Sequence, residues 1–381
     1  MTLIFLQLGK FLMRLLYAVL KLLPIQQKVV FLSRQLNEPS IDFKMLESEI
    51  LNRDPTVRTV MICERIEATA VAGNKRETPL IIIGFRLLYN TIRSMYHVAT
   101  GRVVVLDTYS PVISLLNHKP TLTVIQIWHA MGKIKQSGYR NLDTEGGGRS
   151  SKVAKAMKMH QGYDIIVAGA KAWNQFYCES FNVNEDILYN VGLPRIDYML
   201  QNRAALRQQI LKEYPDLGTK PIIVYAPTWR NTGIDGWDSF ISEFEYEKFN
   251  LVVKCHPNQE LTMPSKQIYT MPNFVALECL AVADYLVTDY SSTAVEAAAL
   301  DVKTYYYLYD YEVYNEKNGL NIDLFTEMAG CVFEEAGDLI SALNSEYPVE
   351  SFEKYKAKFL PDTIGQSTVL IVDKIMEGLK V

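Results

Sequence analysis

Beyond Pro24 the chain alternates short, β-branched apolar runs with longer helix-forming stretches, and it does so in two sets. Val29–Leu32, Thr59–Ile62, Val103–Leu106, Val124–Ile127 and Ile165–Val167 form the first set. Ile222–Tyr225, Leu251–Val253, Phe274–Leu277 and Tyr285–Val287 form the second. A continuous apolar run has no polar face to turn to water, so such strands lie buried in parallel sheets covered by helices. The expected fold is α/β: two Rossmann-like, doubly wound sheets facing a cleft, preceded by one amphipathic helix. The first sheet is expected within 25–200 and the second within 201–381. The polar stretch Gln201–Lys220, broken by Pro215 and Gly218, would lie near the junction. A length of 381 residues suits two domains, because single cores stop growing at about 250–300 residues.

The segment 1–24 stands apart. It is apolar but interrupted by Lys10, Arg14 and Lys21, so no stretch reaches the ~20 apolar residues that a membrane-spanning helix requires. At about 100° per residue, Gln7, Lys10, Arg14, Tyr17 and Lys21 form one polar stripe, with aliphatic side chains around the rest. That pattern suits a helix lying in a membrane surface, its cations among the headgroups and each adding about 1 kcal/mol. A helix packed on the protein body is the alternative, whereas a signal peptide would need early positive charge and a small-residue cleavage site. The net charge of −4 offers no overall basic excess, and no nucleic-acid partner is expected. Five dispersed cysteines read as reduced thiols rather than a disulfide framework or zinc site. No Asp-x-Asp metal clamp is visible. No cofactor is implied, and the need for a divalent metal is left open.

Ligands of open α/β sheets bind at the carboxyl ends of strands, and the chemistry in this chain gathers there. Trp128-His129, Pro227-Thr228-Trp229-Arg230, Lys254-Cys255-His256-Pro257 and Asp289-Tyr290-Ser291-Ser292 each follow an apolar run. His129, with Gly132 expected to make a tight turn and Lys133 and Lys135 nearby, suits proton removal from an attacking hydroxyl. His256, turned outward by Pro257, suits a hydrogen bond to phosphate or protonation of a leaving phosphate. For both, a packed histidine at a strand end is the bland alternative. His97, His118 and His160 read as surface or packing residues. Ser291 and Ser292 precede a helix-forming stretch, and a serine-capped helix start is also an anion site. Glu296, one turn further in, suits ribose hydroxyls. Arg195 and Arg230 offer guanidinium forks for a pyrophosphate. Gly146-Gly147-Gly148 lacks a Walker lysine and reads as a mobile loop.

In this order, Trp128-His129…Gly132, Gly192-Leu193-Pro194-Arg195, Ala226-Pro227-Thr228-Trp229-Arg230, Lys254-Cys255-His256-Pro257 and Thr288-Asp289-Tyr290-Ser291-Ser292 resemble the CDP-glycerol glycerophosphotransferases. These are the teichoic acid primases and polymerases. The resemblance implies a GT-B-like fold with the donor held mainly by the second domain. It also implies catalytic roles for His129 and His256 and a CDP-polyol site at Arg195, Pro227, Thr228, Ser291 and Ser292. The strand-end reading adds Arg230 and Lys254, and Glu296 stands where the family usually has an aspartate. The implied reaction moves glycerol phosphate from CDP-glycerol to a hydroxyl of an undecaprenyl-diphosphate-linked saccharide, releasing CMP, at the cytoplasmic face of a bacterial membrane. A chain of this length resembles a primase. His129-Ala130-Met131-Gly132 departs from the family's His-Gly-Thr-Pro, which leaves CDP-ribitol open as donor. A nucleotide-sugar glycosyltransferase and a non-enzymatic membrane scaffold are the rival readings.

Overall fold

A computed structural model describes residues 2–64, 80–147, 149–228, 237–255 and 267–380. The apolar runs become two six-stranded sheets, with strand pairs parallel throughout. The first comprises β1 (Lys28–Ser33), β2 (Arg58–Cys63), β3 (Val103–Leu106), β4 (Thr123–Gln126), β5 (Ile165–Ala168) and β6 (Leu188–Asn190), in the order β2-β1-β3-β4-β5-β6. The second comprises β7 (Ile222–Tyr225), β8 (Asn250–Val253), β9 (Ile268–Tyr269), β10 (Tyr285–Thr288), β11 (Lys303–Tyr307) and β12 (Val332–Phe333). Its order, β12-β11-β10-β7-β8-β9, is that of a dinucleotide-binding Rossmann sheet, reversing direction between β7 and β10. The first sheet reverses between β1 and β3. Strands β3, β7 and β8 are buried along their whole length, as two-sided coverage demands.

Two expectations about elements need correction. Phe274–Leu277 is not a strand: Ala276–Cys279 forms a helical turn, opened by the Val275 N–H donating to Glu278 Oε2 at 3.0 Å. Phe274 and Leu277 are both buried, and their three-residue spacing already fits a helical face. The third strand on that side is Ile268–Tyr269. Strands β6, β9, β11 and β12 were not anticipated, since β11 is rich in tyrosine rather than valine and isoleucine and the other three span three, two and two residues.

Six of the helices bear on function: α1 (Thr2–Leu20), α2 (Ile41–Arg53), α3 (Leu80–Thr100), α4 (Pro194–Glu213), α5 (Thr293–Ala299) and α6 (Ser367–Lys380). Helix α6 returns to the first sheet, so the stretch 201–381 does not stay with the second. Ile371, Val372 and Ile375 are buried. A Cβ on Gly378 would lie 2.9 Å from Val103 Cγ2. Asp197 of α4 accepts from the Ser367 and Thr368 N–H groups at 3.3 and 2.6 Å, satisfying amides that the start of α6 leaves open.

The polar stripe of α1 faces the protein rather than a headgroup layer. Lys10 Nζ donates to Ala156 O at 2.9 Å, Arg14 Nε to Leu115 O at 3.3 Å and Lys21 Nζ to Asn117 O at 2.8 Å. Tyr17 is buried, its hydroxyl 2.7 Å from His118 Nδ1. Ala156 and Leu115 end the short helices Ser151–Ala156 and Pro111–Leu115, where free carbonyls favour cations. The cations thus tether α1 to the body and leave its aliphatic face outward: Phe11, Leu15 and Val19 are 62%, 58% and 59% exposed. Helix α3, packed beside it, also exposes Phe85, Leu88 and Tyr89. No described helix is long and apolar enough to cross a membrane.

Candidate active site between the two sheets

The fourth strand ends in a sharp turn at Trp128, whose φ of 57° lies in the left-handed region. A bulky residue held there is strained, and its N–H is fixed by Gln126 Oε1 at 2.8 Å. Gly132 has no positive φ and is not the turn residue. Its lack of a side chain serves close approach: a Cβ would lie 2.6 Å from Val295 Cγ2 on α5 and 3.2 Å from Trp173. The loop from the first sheet therefore presses directly on a helix of the second.

His129 is half-buried and packed against Trp128, ring centroids 4.0 Å apart and planes tilted by 34°. Its Nδ1 lies 3.2 Å from the Asp107 carbonyl oxygen and 2.8 Å from Gln35 Nε2. Donation from Nδ1–H to Asp107 leaves Nε2 as the proton acceptor, whereas donation from the Gln35 amide selects the other tautomer. Burial pushes the His129 pKa down to about 3, the Asp107 carbonyl opposing it and Lys133, Arg195 and Lys135 adding to it. The ring is neutral at neutral pH.

Lys133 was noted only as nearby charge, yet it is buried beside this histidine. Its ammonium sits 4.4, 4.6 and 4.9 Å from the ring centroids of Phe181, Trp128 and Tyr177 and donates to Ser137 Oγ at 3.1 Å. Burial lowers its pKa to about 7. His160 is a packing residue, buried against Trp128 and Phe181.

Opposite His129 stands the start of α5. Ser292 makes no side-chain cap; Ser291 Oγ instead accepts the Thr293 N–H at 3.3 Å. The cleft between them holds about 320 Å³ and is lined by Trp128, His129, Lys133 and Ser137 from one side and Tyr290, Ser291 and Ser292 from the other. At the reversal point of the second sheet, the Thr228 N–H and hydroxyl both donate to the Asp289 carboxylate, at 2.9 and 2.5 Å. This joins the ends of β7 and β10 and leaves Pro227 and Thr228 half-buried there.

Three charged candidates are engaged elsewhere. Arg195 grips Asp42 of α2 through its main-chain N–H and its Nε, both at 2.8 Å, and through Nη2. Its Nη1 reaches Glu296 Oε1 at 3.3 Å and the His129 carbonyl at 3.4 Å. Glu296 and Arg195 thus form a buried cluster with Asp42 that ties α2, the His129 loop and α5 together, and neither lines the cleft. Burial raises the Glu296 pKa, with Arg195 opposing. Lys254 donates to the carbonyls of Thr270, Met271 and Phe274 at 3.1, 2.9 and 2.6 Å, so its charge pins the chain after β9. His256 and Arg230 lie outside the described residues. The glycine loop is docked: Gly146 N–H donates to Lys317 O at 3.1 Å, and a Cβ there would lie 2.1 Å from Asn318 Oδ1.

Sequence reasoning passed over Gln35, Asp42 and Asp107. Asp107 directly follows β3 and Gln35 stands two residues past β1, so the strand-end rule applied to every strand finds both. Asp42 sits inside a helix and carries no such signal. Among the described residues, no group of three His, Cys, Asp or Glu side chains is placed to hold a metal ion.

Comparison with known proteins agrees with this architecture. The family described as CDP-glycerol:poly(glycerophosphate) glycerophosphotransferase matches residues 15–377. A teichoic acid poly(ribitol-phosphate) polymerase of Bacillus spizizenii is 26% identical over 379 residues, covering 94% of this chain and 58% of the polymerase. A teichoic acid glycerol-phosphate primase of Bacillus subtilis is 24% identical, covering 79% of this chain and 80% of the primase. A teichoic acid ribitol-phosphate primase of Bacillus spizizenii is also 24% identical, covering 94% and 93%. A structure of the wall teichoic acid polymerase TagF superposes with a TM-score of 0.76 at 19% identity, over 97% of this chain and 94% of that one. A UDP-GlcNAc 2-epimerase from Neisseria meningitidis shares the fold at a TM-score of 0.61 and 15% identity, over 92% and 100%.

Proposed function

The chain belongs to the CDP-glycerol:poly(glycerophosphate) glycerophosphotransferase family, and on that premise we propose that it moves a polyol phosphate from a CDP-activated donor to a hydroxyl of a lipid-linked saccharide in teichoic acid synthesis. One observation carries this reading: a neutral histidine of the first sheet and a serine-lined helix start of the second share one cleft beside the reversal point of a Rossmann sheet.

The acceptor hydroxyl attacks the β-phosphorus of the donor. A new P–O bond forms, the bond to CMP breaks, and CMP leaves with the electron pair. His129 Nε2 takes the hydroxyl proton, with Asp107 holding the tautomer. A pKa near 3 makes the free ring a weak base. A dianionic donor in the cleft raises it, because nearby negative charge favours the protonated form. Ser291 and Ser292 offer hydroxyl and amide donors to the phosphates, where fixed dipoles stabilise developing charge, while Thr228, both of whose donors are held by Asp289, shapes the loop beside them. His256 is expected to assist at the leaving phosphate, and GT-B-like closure of the two sheets to exclude water. Donor choice between glycerol and ribitol is a second reading, since relatives named for each match this chain. The outward apolar faces of α1 and α3 support attachment to the cytoplasmic face of the membrane.

Release of CMP should be measured with CDP-glycerol, CDP-ribitol and a UDP-sugar, each with lipid-linked saccharide. CMP from a CDP-alditol only in the presence of acceptor is the expected result. Sugar transfer from the UDP-sugar would replace this reading with glycosyl transfer, and CDP binding without turnover would leave a scaffold.

A further inference from the structure

A second chamber of about 330 Å³ lies at the reversal point of the first sheet, between α1 and α3. That is the position where an open α/β sheet offers a ligand crevice, and the volume is that of a small-molecule pocket. Its lining is predominantly apolar, with Met13, Leu87, Val112 and Leu115 among its walls. The helices on either side carry the outward apolar faces of Phe11, Leu15, Phe85 and Leu88, so the chamber adjoins the surface that best suits a lipid layer.

Two cations line it, Lys10 and Arg34, and Lys10 is turned to the Ala156 carbonyl at 2.9 Å. Arg34 donates through Nη1 to the Tyr109 carbonyl at 3.2 Å and through its main-chain N–H to Thr108 Oγ1 at 3.1 Å, and it forms no ion pair among the described residues. A half-buried guanidinium with no salt bridge among the described residues favours an anion from outside. The neighbouring carboxylate, Glu64, is already held by Arg86 at 3.1 Å and Asn90 at 2.7 Å. The next residue along the chain, Gln35, touches His129. A ligand with an apolar tail and an anionic head would therefore place that head one residue from the candidate base.

We propose that this chamber holds the first isoprenoid units of the lipid-linked acceptor, with its diphosphate at Arg34 and its saccharide extending past Gln35 to His129. This rests on the proposed transfer reaction. A free fatty acyl chain has the same tail chemistry but lacks the diphosphate.

The test is equilibrium binding of farnesyl diphosphate to the full chain, with inorganic diphosphate and phosphatidylglycerol vesicles as separate probes. Ser94→Phe, on the α3 wall, should weaken farnesyl diphosphate at least tenfold while leaving binding of CDP and of vesicles unchanged. Arg34→Gln, which leaves the walls intact, should also weaken it, and is decisive if Ser94→Phe folds poorly. Undiminished farnesyl diphosphate binding in both variants would overturn the proposal. So would inorganic diphosphate binding as tightly as its farnesyl ester. Because this readout involves no turnover, it is independent of the transfer reaction: absence of CMP release with every donor would reject that reaction and leave the chamber judged by binding.

Discussion

The strand ends of the two sheets look alike in sequence but differ in what they do with polar groups. On the first sheet, Gln35, Asp107 and His129 come from three different strand ends and meet around one imidazole, whose remaining nitrogen has no hydrogen-bond partner among the described residues. On the second, Lys254 is shared among three carbonyls, Thr228 is bound to Asp289 and Glu296 is bound to Arg195. Ser291 and Ser292 at the start of α5 still face the cleft, beside Tyr290, Tyr314 and Asn318. A buried charge must find a partner, so charged residues at strand ends are often drawn into the scaffold. At His129 and at Ser291 and Ser292, by contrast, neutral imidazole and hydroxyl groups line the cleft.

The sharpest way to break this contrast is His129→Ala. Turnover should fall by about 10²- to 10⁴-fold, with CDP affinity and melting temperature close to wild type. Near-normal CMP release would remove the histidine from the reaction. Asp42→Ala strips Arg195 of its main partner inside the structure, and removing one member of a buried pair costs about 3–5 kcal/mol. Urea unfolding measures this, and an unchanged midpoint would show that Arg195 is not a structural clamp. Lys254→Met should lower stability by about 1–3 kcal/mol and leave the KM for the CDP donor unaltered. A selective rise in KM with stability intact would return Lys254 to the donor site.

The last contrast concerns acid. His129 and His160 have pKa values pushed down to about 3 by burial, against about 6.5 in an unfolded chain. Below pH 6.5 the unfolded chain binds more protons than the folded one. Stability is therefore complete above that pH and is lost as the pH falls toward 3. His160→Asn should flatten this loss in urea melts between pH 7 and 4, and an equally steep loss in the variant would place its cause elsewhere.

Much of the fold was legible because its signal is local. Eight of the nine apolar runs named from sequence are strands, since continuous burial leaves the same mark wherever it occurs. Phe274–Leu277 misled because four apolar residues also suit a buried helical turn. The site was legible in part by the same rule. It located the Trp128-His129 loop, the Thr228 loop and Ser291-Ser292, all at carboxyl ends of strands. The turn of Arg195 away from the cleft was not legible because its two carboxylate partners, Asp42 and Glu296, lie 153 and 101 positions away along the chain. The polar stripe on α1 was read correctly as a stripe but pointed the wrong way, since a cation satisfied by a helix-end carbonyl and one facing a headgroup look identical in sequence.

The amino-acid sequence alone determined which segments would be buried on both faces, and hence two parallel sheets with chemistry at their carboxyl ends. Hydrophobic periodicity is a property of neighbours in the chain, so it needs no tertiary information. Only the tertiary structure decided which polar groups are left for a substrate: whether Arg195, Glu296 and Lys254 turn to the cleft or to the scaffold, and which way α1 faces. Those choices depend on groups distant in sequence competing for the same partner, and the outcome follows from the high cost of leaving any buried charge alone.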